Sequence, residues 1–105
     1  MSKINRELAL TYCAGEEAIY NEILESYYNQ GKKYCENMIE YYKNKDLKNY
    51  AIVTHTIKST SLTIGAEELS ALAKEMEFAA KEENMVLIDE KWELLCVLYQ
   101  EILMK

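Results

Sequence analysis

A single histidine, His55, is present in this chain, and the chemistry the sequence can offer turns on it. One imidazole cannot build a metal cage, which takes several ligands. Nor does a lone imidazole by itself build a catalytic triad. It can carry a phosphoryl group on nitrogen, because an unperturbed imidazole titrates near ~6.5 and is largely neutral and nucleophilic at about pH 7. The run that holds it is His55-Thr56-Ile57-Lys58-Ser59-Thr60-Ser61-Leu62-Thr63-Ile64-Gly65-Ala66. Lys58, one helical turn along, would help to offset the roughly two negative charges a phosphoryl group brings. A plain solvated histidine is the competing reading. No Gly-rich phosphate loop, no Gly-Lys-Ser/Thr motif and no acidic pair arranged for Mg²⁺ appears, so the chain is not expected to bind ATP or a metal by itself.

The elements that must position His55 follow from composition. With 105 residues the chain is read as one domain, 1–105, able to bury roughly two-thirds of its unfolded surface. There is no proline, and Gly15, Gly31 and Gly65 are the only glycines, while Glu, Lys, Leu, Ala and Tyr abound. Few turns and much helix propensity make all-α the expected class. A net charge of −6 argues against nucleic acid as a partner, since phosphate contacts need a basic stripe. The longest apolar run, Leu94 to Tyr99, is too short to insert in a membrane, and the N-terminus does not resemble a signal peptide. Cys13, Cys35 and Cys96 are odd in number and widely spaced, which fits reduced, buried thiols in a cytoplasmic protein and gives a metal or redox reading little support. A monomeric, soluble helical domain is the expectation.

Hydrophobic periodicity predicts five helices. The first runs from about Ser2 to Tyr12, with Ser2 as N-cap, Ile4, Leu8 and Tyr12 on one stripe, and Gly15 as its breaker. The second, about Glu16 to Asn44, carries Tyr20, Leu24, Tyr27, Gly31, Tyr34, Met38 and Tyr41 at alternating steps of four and three, a bundle seam. Its tyrosines (Tyr28 and Tyr42 included) are expected to pack while their hydroxyls reach water, and Gly31 marks a close helix contact or a kink. Asp46 caps the third helix, Leu47 to about Ile64, and Gly65 ends it in the left-handed conformation. The fourth begins at Ala66-Glu67-Glu68 and buries Leu69, Leu72, Ala73, Met76 and Ala80. After Asn84 the last helix, about Val86 to Met104, buries Ile88, Trp92, Leu95, Tyr99 and Ile102. Short connections imply an antiparallel four-helix bundle, with the additional short N-terminal helix covering one end.

At roughly 100° per residue, Tyr50, Val53, Thr54, Ile57, Ser61 and Ile64 share the buried side of the third helix. His55 faces the other way, on one ridge with Ile52, Ser59 and Leu62. Lys48, Ala51, Thr56 and Lys58 lie close to that ridge. A solvated face would carry Glu and Lys, as the outer faces of the fourth and fifth helices are expected to. Isolated exposed aliphatics are common, but a line of apolar, histidine, small and apolar residues fits a docking surface, and periodicity alone leaves both readings open. The fourth helix, turning back at Gly65, brings Lys74, Glu77 and Lys81 level with His55 on its polar side. Phe78 on that side could belong to a docking surface, but a lone exposed aromatic is more often incidental.

The segment His55-Thr56-Ile57-Lys58-Ser59-Thr60-Ser61, followed by Ile64-Gly65-Ala66-Glu67-Glu68-Leu69, then Ala73, Met76 and Glu77, resembles the histidine-containing phosphotransfer (HPt) domain family. The resemblance implies that His55 accepts and donates a phosphoryl group, that Lys58 stabilises it, and that Glu77 orients the imidazole. Ser59 stands where the family motif has glycine; it can hydrogen-bond the phosphoryl oxygens but narrows access to the helix. Implied partners are response-regulator receiver domains, docking over Ile52, Thr56, Ser59, Leu62 and Lys81, and a sensor histidine kinase, hybrid or not; the phosphorylated domain of chemotaxis-type histidine kinases shares the bundle and the histidine. The receiver would supply the aspartate and the Mg²⁺, and the domain itself would need no cofactor. The resemblance thus implies a phosphocarrier of a multistep His-Asp phosphorelay, not an enzyme. A helical adaptor that binds receivers without being phosphorylated is the alternative, kept open by Ser59. A chain of this length is expected to be a separate carrier or an excised C-terminal module.

Overall fold

Capping residues and glycines fix where each helix begins and stops. The computed structural model describes residues 4–104, in which α1 (Arg6–Tyr12), α2 (Glu17–Lys43), α3 (Leu47–Thr63), α4 (Glu67–Lys81) and α5 (Met85–Leu103) follow one another with no strand among the described residues. The class is all-α, as expected. Asp46 accepts the backbone N–H of Asn49 at 3.3 Å, and Asn84 accepts that of Leu87 at 3.2 Å, so α3 and α5 each start on a side-chain cap. Consecutive helices are joined by short turns and pack as neighbours, and α5 closes back on α2, which places α3 and α5 diagonally across an antiparallel four-helix bundle.

The core is largely the expected one, although Leu24, Tyr34 and Tyr41 of the predicted α2 seam are only partly buried. Met38, Tyr50, Ile57, Leu69, Met76, Ile88, Leu95, Tyr99 and Ile102 are all buried within one cluster. The predicted α3 stripe (Tyr50, Val53, Thr54, Ile57, Ser61, Ile64) is buried throughout. Gly31 is a close contact, since a Cβ there would run into the side chain of Leu103. Trp92 departs from the reading as core: it is only partly buried and stacks on Tyr42, ring centroids 4.0 Å apart. Two tyrosine hydroxyls of α2 turn inward rather than to water. Tyr27 pairs with the Ser61 hydroxyl at 2.8 Å, and Tyr20 donates to the Ile64 carbonyl at 3.4 Å, because α3 offers polar groups on its inner face.

The first helix differs most from its prediction. Ser2, read as its N-cap, lies outside the described residues, and the helix starts at Arg6, where Asn5 accepts the N–H of Leu8 at 3.1 Å. Tyr12 is exposed, whereas Ala9 and Cys13 are buried against Tyr20. The phase of this short helix is set by its attachment to the α3–α4 turn. There Asn5 donates its backbone N–H to the Gly65 carbonyl at 2.6 Å, and its side-chain Nδ2 donates to Glu67 at 3.0 Å. Gly65 has φ +88°, and a Cβ on it would strike the Asn5 backbone, so conformation and space both require glycine. Among the described residues no helix is long and apolar enough to cross a membrane.

Candidate functional site

His55 stands on the outer side of α3 because the opposite side of that helix is committed to the core. Ile52, Ser59 and Leu62 are exposed along the same ridge. The helix is rich in hydroxyls, and most are consumed locally: Thr54, Thr56, Thr60 and Thr63 each donate to a carbonyl one turn back, at 2.8, 3.2, 2.8 and 2.9 Å. Thr56 therefore presents its methyl group and little polar capacity to the surface. Ser70 of α4 donates to the Lys58 carbonyl at 2.8 Å and ties the two helices together one turn beyond the histidine.

Glu77 organises the site, and its location corrects the reading of α4. Sequence placed it on the polar side; in the fold its side chain is 3 % exposed. A helix in a four-helix bundle faces two neighbours, so α4 buries Ser70, Glu77 and Ala79 beyond the single stripe expected of it. Three groups converge on the carboxylate. His55 Nδ1 lies 3.1 Å from Oε2, Lys81 Nζ lies 2.9 Å from the same oxygen, and Lys58 Nζ lies 3.4 Å from Oε1. Burial pushes the Glu77 carboxyl up, but hydrogen bonds to Lys81 and Lys58 and the charges of Lys58 and His55 outweigh it and hold the group below the usual carboxylate range.

An ionised carboxylate can only accept, so the proton between His55 and Glu77 belongs to Nδ1. The ring's other nitrogen, Nε2, then carries the lone pair, on a side chain that is 57 % exposed. The arrangement yields a nucleophile of fixed tautomer, flanked by two ammonium groups able to meet an incoming dianion. An open groove of about 710 Å³ runs beside the ring between α3 and α4, with Ala51 and Ala80 at its base and Leu47, Ile52, Lys48 and Lys81 around it.

Of the residues singled out by sequence, His55, Lys58, Glu77 and Lys81 form one connected cluster, with Ile52 and Thr56 lining the adjoining groove. Ser59 and Leu62 lie on the far side of Lys58, in a second groove of about 470 Å³ shared with Ser70 and Lys74. Lys74 is not part of the Glu77 cluster. Its ammonium sits 5.9 Å from the Phe78 ring centroid, as does that of Lys81, so Phe78 is a platform between two cations rather than an incidental aromatic. Lys48 and Ser70 were not assigned site roles from sequence: Lys48 was placed only near the ridge, and nothing local to Ser70 signals its bond to the Lys58 carbonyl. Cys13, Cys35 and Cys96 are free thiols; the first two are buried as expected, whereas Cys96 is only partly buried at the edge of the core, and that burial, with Cys35 next, pushes its thiol up to about 12.

The family model of the Hpt domain matches residues 22–103. Among curated proteins, the phosphorelay intermediate protein rdeA of Dictyostelium discoideum is 25% identical over 83 residues, covering 79% of this chain and 33% of that protein. The chain thus spans about a third of the length of this curated relative. No solved structure gives a significant match.

Proposed function

From the premise that the chain belongs to the Hpt domain family, we propose that it is a phosphocarrier of a multistep His-Asp phosphorelay, exchanging a phosphoryl group between His55 and aspartates of receiver domains. The observation that carries this reading is the water-facing imidazole fixed by its Nδ1–H to a buried, ionised Glu77. The lone pair of Nε2 attacks the phosphorus of an aspartyl phosphate. The N–P bond forms as the acyl O–P bond breaks, and the electron pair leaves with the aspartate carboxylate. The ring becomes cationic, and Glu77 retains the Nδ1 proton beside it. Reversal gives the second transfer, in which a neutral imidazole departs.

In this reading Lys58 and Lys81 balance charge on Glu77 before transfer and on the phosphoryl oxygens after it, with Ser59 offering a further donor. The receiver docks over Ile52, Thr56, Leu62 and Lys81 and brings its own Mg²⁺. A hybrid or separate histidine kinase charges the relay. The bundle 1–105 acts as one carrier domain, without catalytic turnover or a cofactor of its own. Three free thiols fit a reducing compartment, so the setting is the cytoplasm.

The test is to mix the protein with a receiver domain carrying labelled aspartyl phosphate and Mg²⁺. Label that moves to the protein, is acid-labile and base-stable, and disappears in His55→Gln supports the carrier. A His55→Gln variant that binds the receiver as before, alongside a wild type that never takes label, would establish an adaptor instead.

A further inference from the structure

The outer face of α5 exposes more large aliphatic side chains than that of any other helix of the bundle. The expectation from sequence was a mixed Glu and Lys surface. At roughly 100° per residue, Val86, Glu90, Glu93, Leu94, Val97, Glu101 and Met104 fall within one sector about 100° wide. All seven are exposed in the structure, and no other described α5 position falls in that sector. The apolar members are 77 % (Val86), 53 % (Leu94), 46 % (Val97) and 83 % (Met104) exposed, whereas the longer α2 leaves only Ile19 as a large exposed aliphatic. From Val86 to Met104 the stripe is about 27 Å long at the helical rise.

Charge on this stripe is of one sign. Glu90, Glu93 and Glu101 form no ion pair among the described residues, and Asp89 on its flank accepts from the Tyr42 hydroxyl at 2.7 Å. The helix's lysine among the described residues, Lys91, turns away to Glu75 at 2.8 Å. Apart from the adjacent pair Glu93 and Leu94, successive stripe residues step by three or four, the spacing of one side of a two-helix seam, so a helix laid along α5 would meet both apolar and acidic residues along its length.

We propose that this face docks a basic amphipathic helix supplied by another protein. Leucine-type side chains on such a helix cover Val86, Leu94, Val97 and Met104, and its Lys or Arg side chains pair with Glu90, Glu93 and Glu101. A second copy of the chain is the wrong occupant, because it would set these acids against one another. Since α5 lies diagonal to α3, a bound helix leaves the groove beside His55 open, and docking and phosphoryl exchange can proceed together.

The probe is a synthetic helical peptide of about 18 residues with leucine on one face and lysine on the rest, titrated into the isotopically labelled full chain. The expected result is amide shifts confined to 86–104, and affinity that falls at least about tenfold between ~0.05 M and ~0.5 M salt. Binding should weaken comparably in Glu90→Gln/Glu93→Gln/Glu101→Gln and in Leu94→Ser/Val97→Ser, surface changes whose folding circular dichroism verifies. Three results overturn the proposal. One is shifts centred on α3 and α4, where Lys48, Lys58 and Lys81 should repel the peptide. Another is equal binding of a leucine–glutamate peptide. The third is sedimentation showing a dimer that Leu94→Lys dissolves.

Discussion

His55 and Glu77 are hydrogen-bonded at 3.1 Å, although one side chain is 57 % exposed and the other 3 %. A group in water is thereby governed by a charge inside the protein. Lys81 shares the same Glu77 oxygen at 2.9 Å, so the carboxylate stays ionised without being bound to the imidazole alone.

Glu77→Gln separates charge from orientation. The amide oxygen can still accept the Nδ1 proton, but it no longer stabilises the cationic ring of the phosphorylated histidine. Transfer from a receiver to His55 should slow about tenfold, equivalent to ~1.4 kcal/mol, at every pH from ~6 to ~9, because positive charge develops on the ring as the N–P bond forms. Rapid-quench measurements across that range check it; unchanged rates at every pH would reduce Glu77 to an orienting role.

Stability should depend on pH through the same residue. Glu77 is held below the usual carboxylate range in the fold, so its contribution is complete above the unfolded value of about 4.3 and is lost as pH falls through the lower folded value. The urea midpoint of the wild type should exceed that of Glu77→Gln at about pH 6, with the gap closing on acidification below about pH 4. A gap that widens in acid contradicts the assignment.

Gly65→Ala should cost about 2 kcal/mol or more, because a left-handed backbone penalty adds to a collision with Asn5. Thermal melting reads this directly. Gly15→Ala, at φ +77° but with open space around it, should cost less.

The buried tyrosines should respond unequally to loss of their hydroxyls. Tyr27→Phe breaks the 2.8 Å bond to Ser61 and should cost about 1 kcal/mol. Tyr50→Phe and Tyr99→Phe should cost less, since neither hydroxyl has a hydrogen-bond partner among the described residues. Denaturant midpoints of the three variants test the order.

Ser59→Gly restores the motif residue one turn from His55. It should lower helix stability by about 0.5 kcal/mol and raise the rate of transfer with a receiver several-fold by opening the approach. A slower variant would show instead that the hydroxyl assists transfer.

The third helix was legible because its ends are locally specified. With Asp46 capping one end and Gly65 stopping the other, the register of Tyr50, Val53, Ile57 and Ile64 follows, and His55 is left outside. Glu77 could be matched to a motif position but not placed in depth, since its burial depends on how closely α3 and α4 approach and on which lysines close over it. The first helix was the least legible. Asn5 chooses its starting point through bonds to Gly65 and Glu67, far along the chain, and no local pattern contains them.

Asn5 also begins α1 while it holds the junction where α3 stops and α4 starts, so three helix termini depend on one residue. Fraying there is a shared event: the last turn of α3 cannot loosen without releasing α1, and the two should exchange their amide hydrogens with a common opening free energy. The far end of the histidine-bearing helix is in this way clamped from outside the four-helix core, by a segment that precedes the Hpt-matched region.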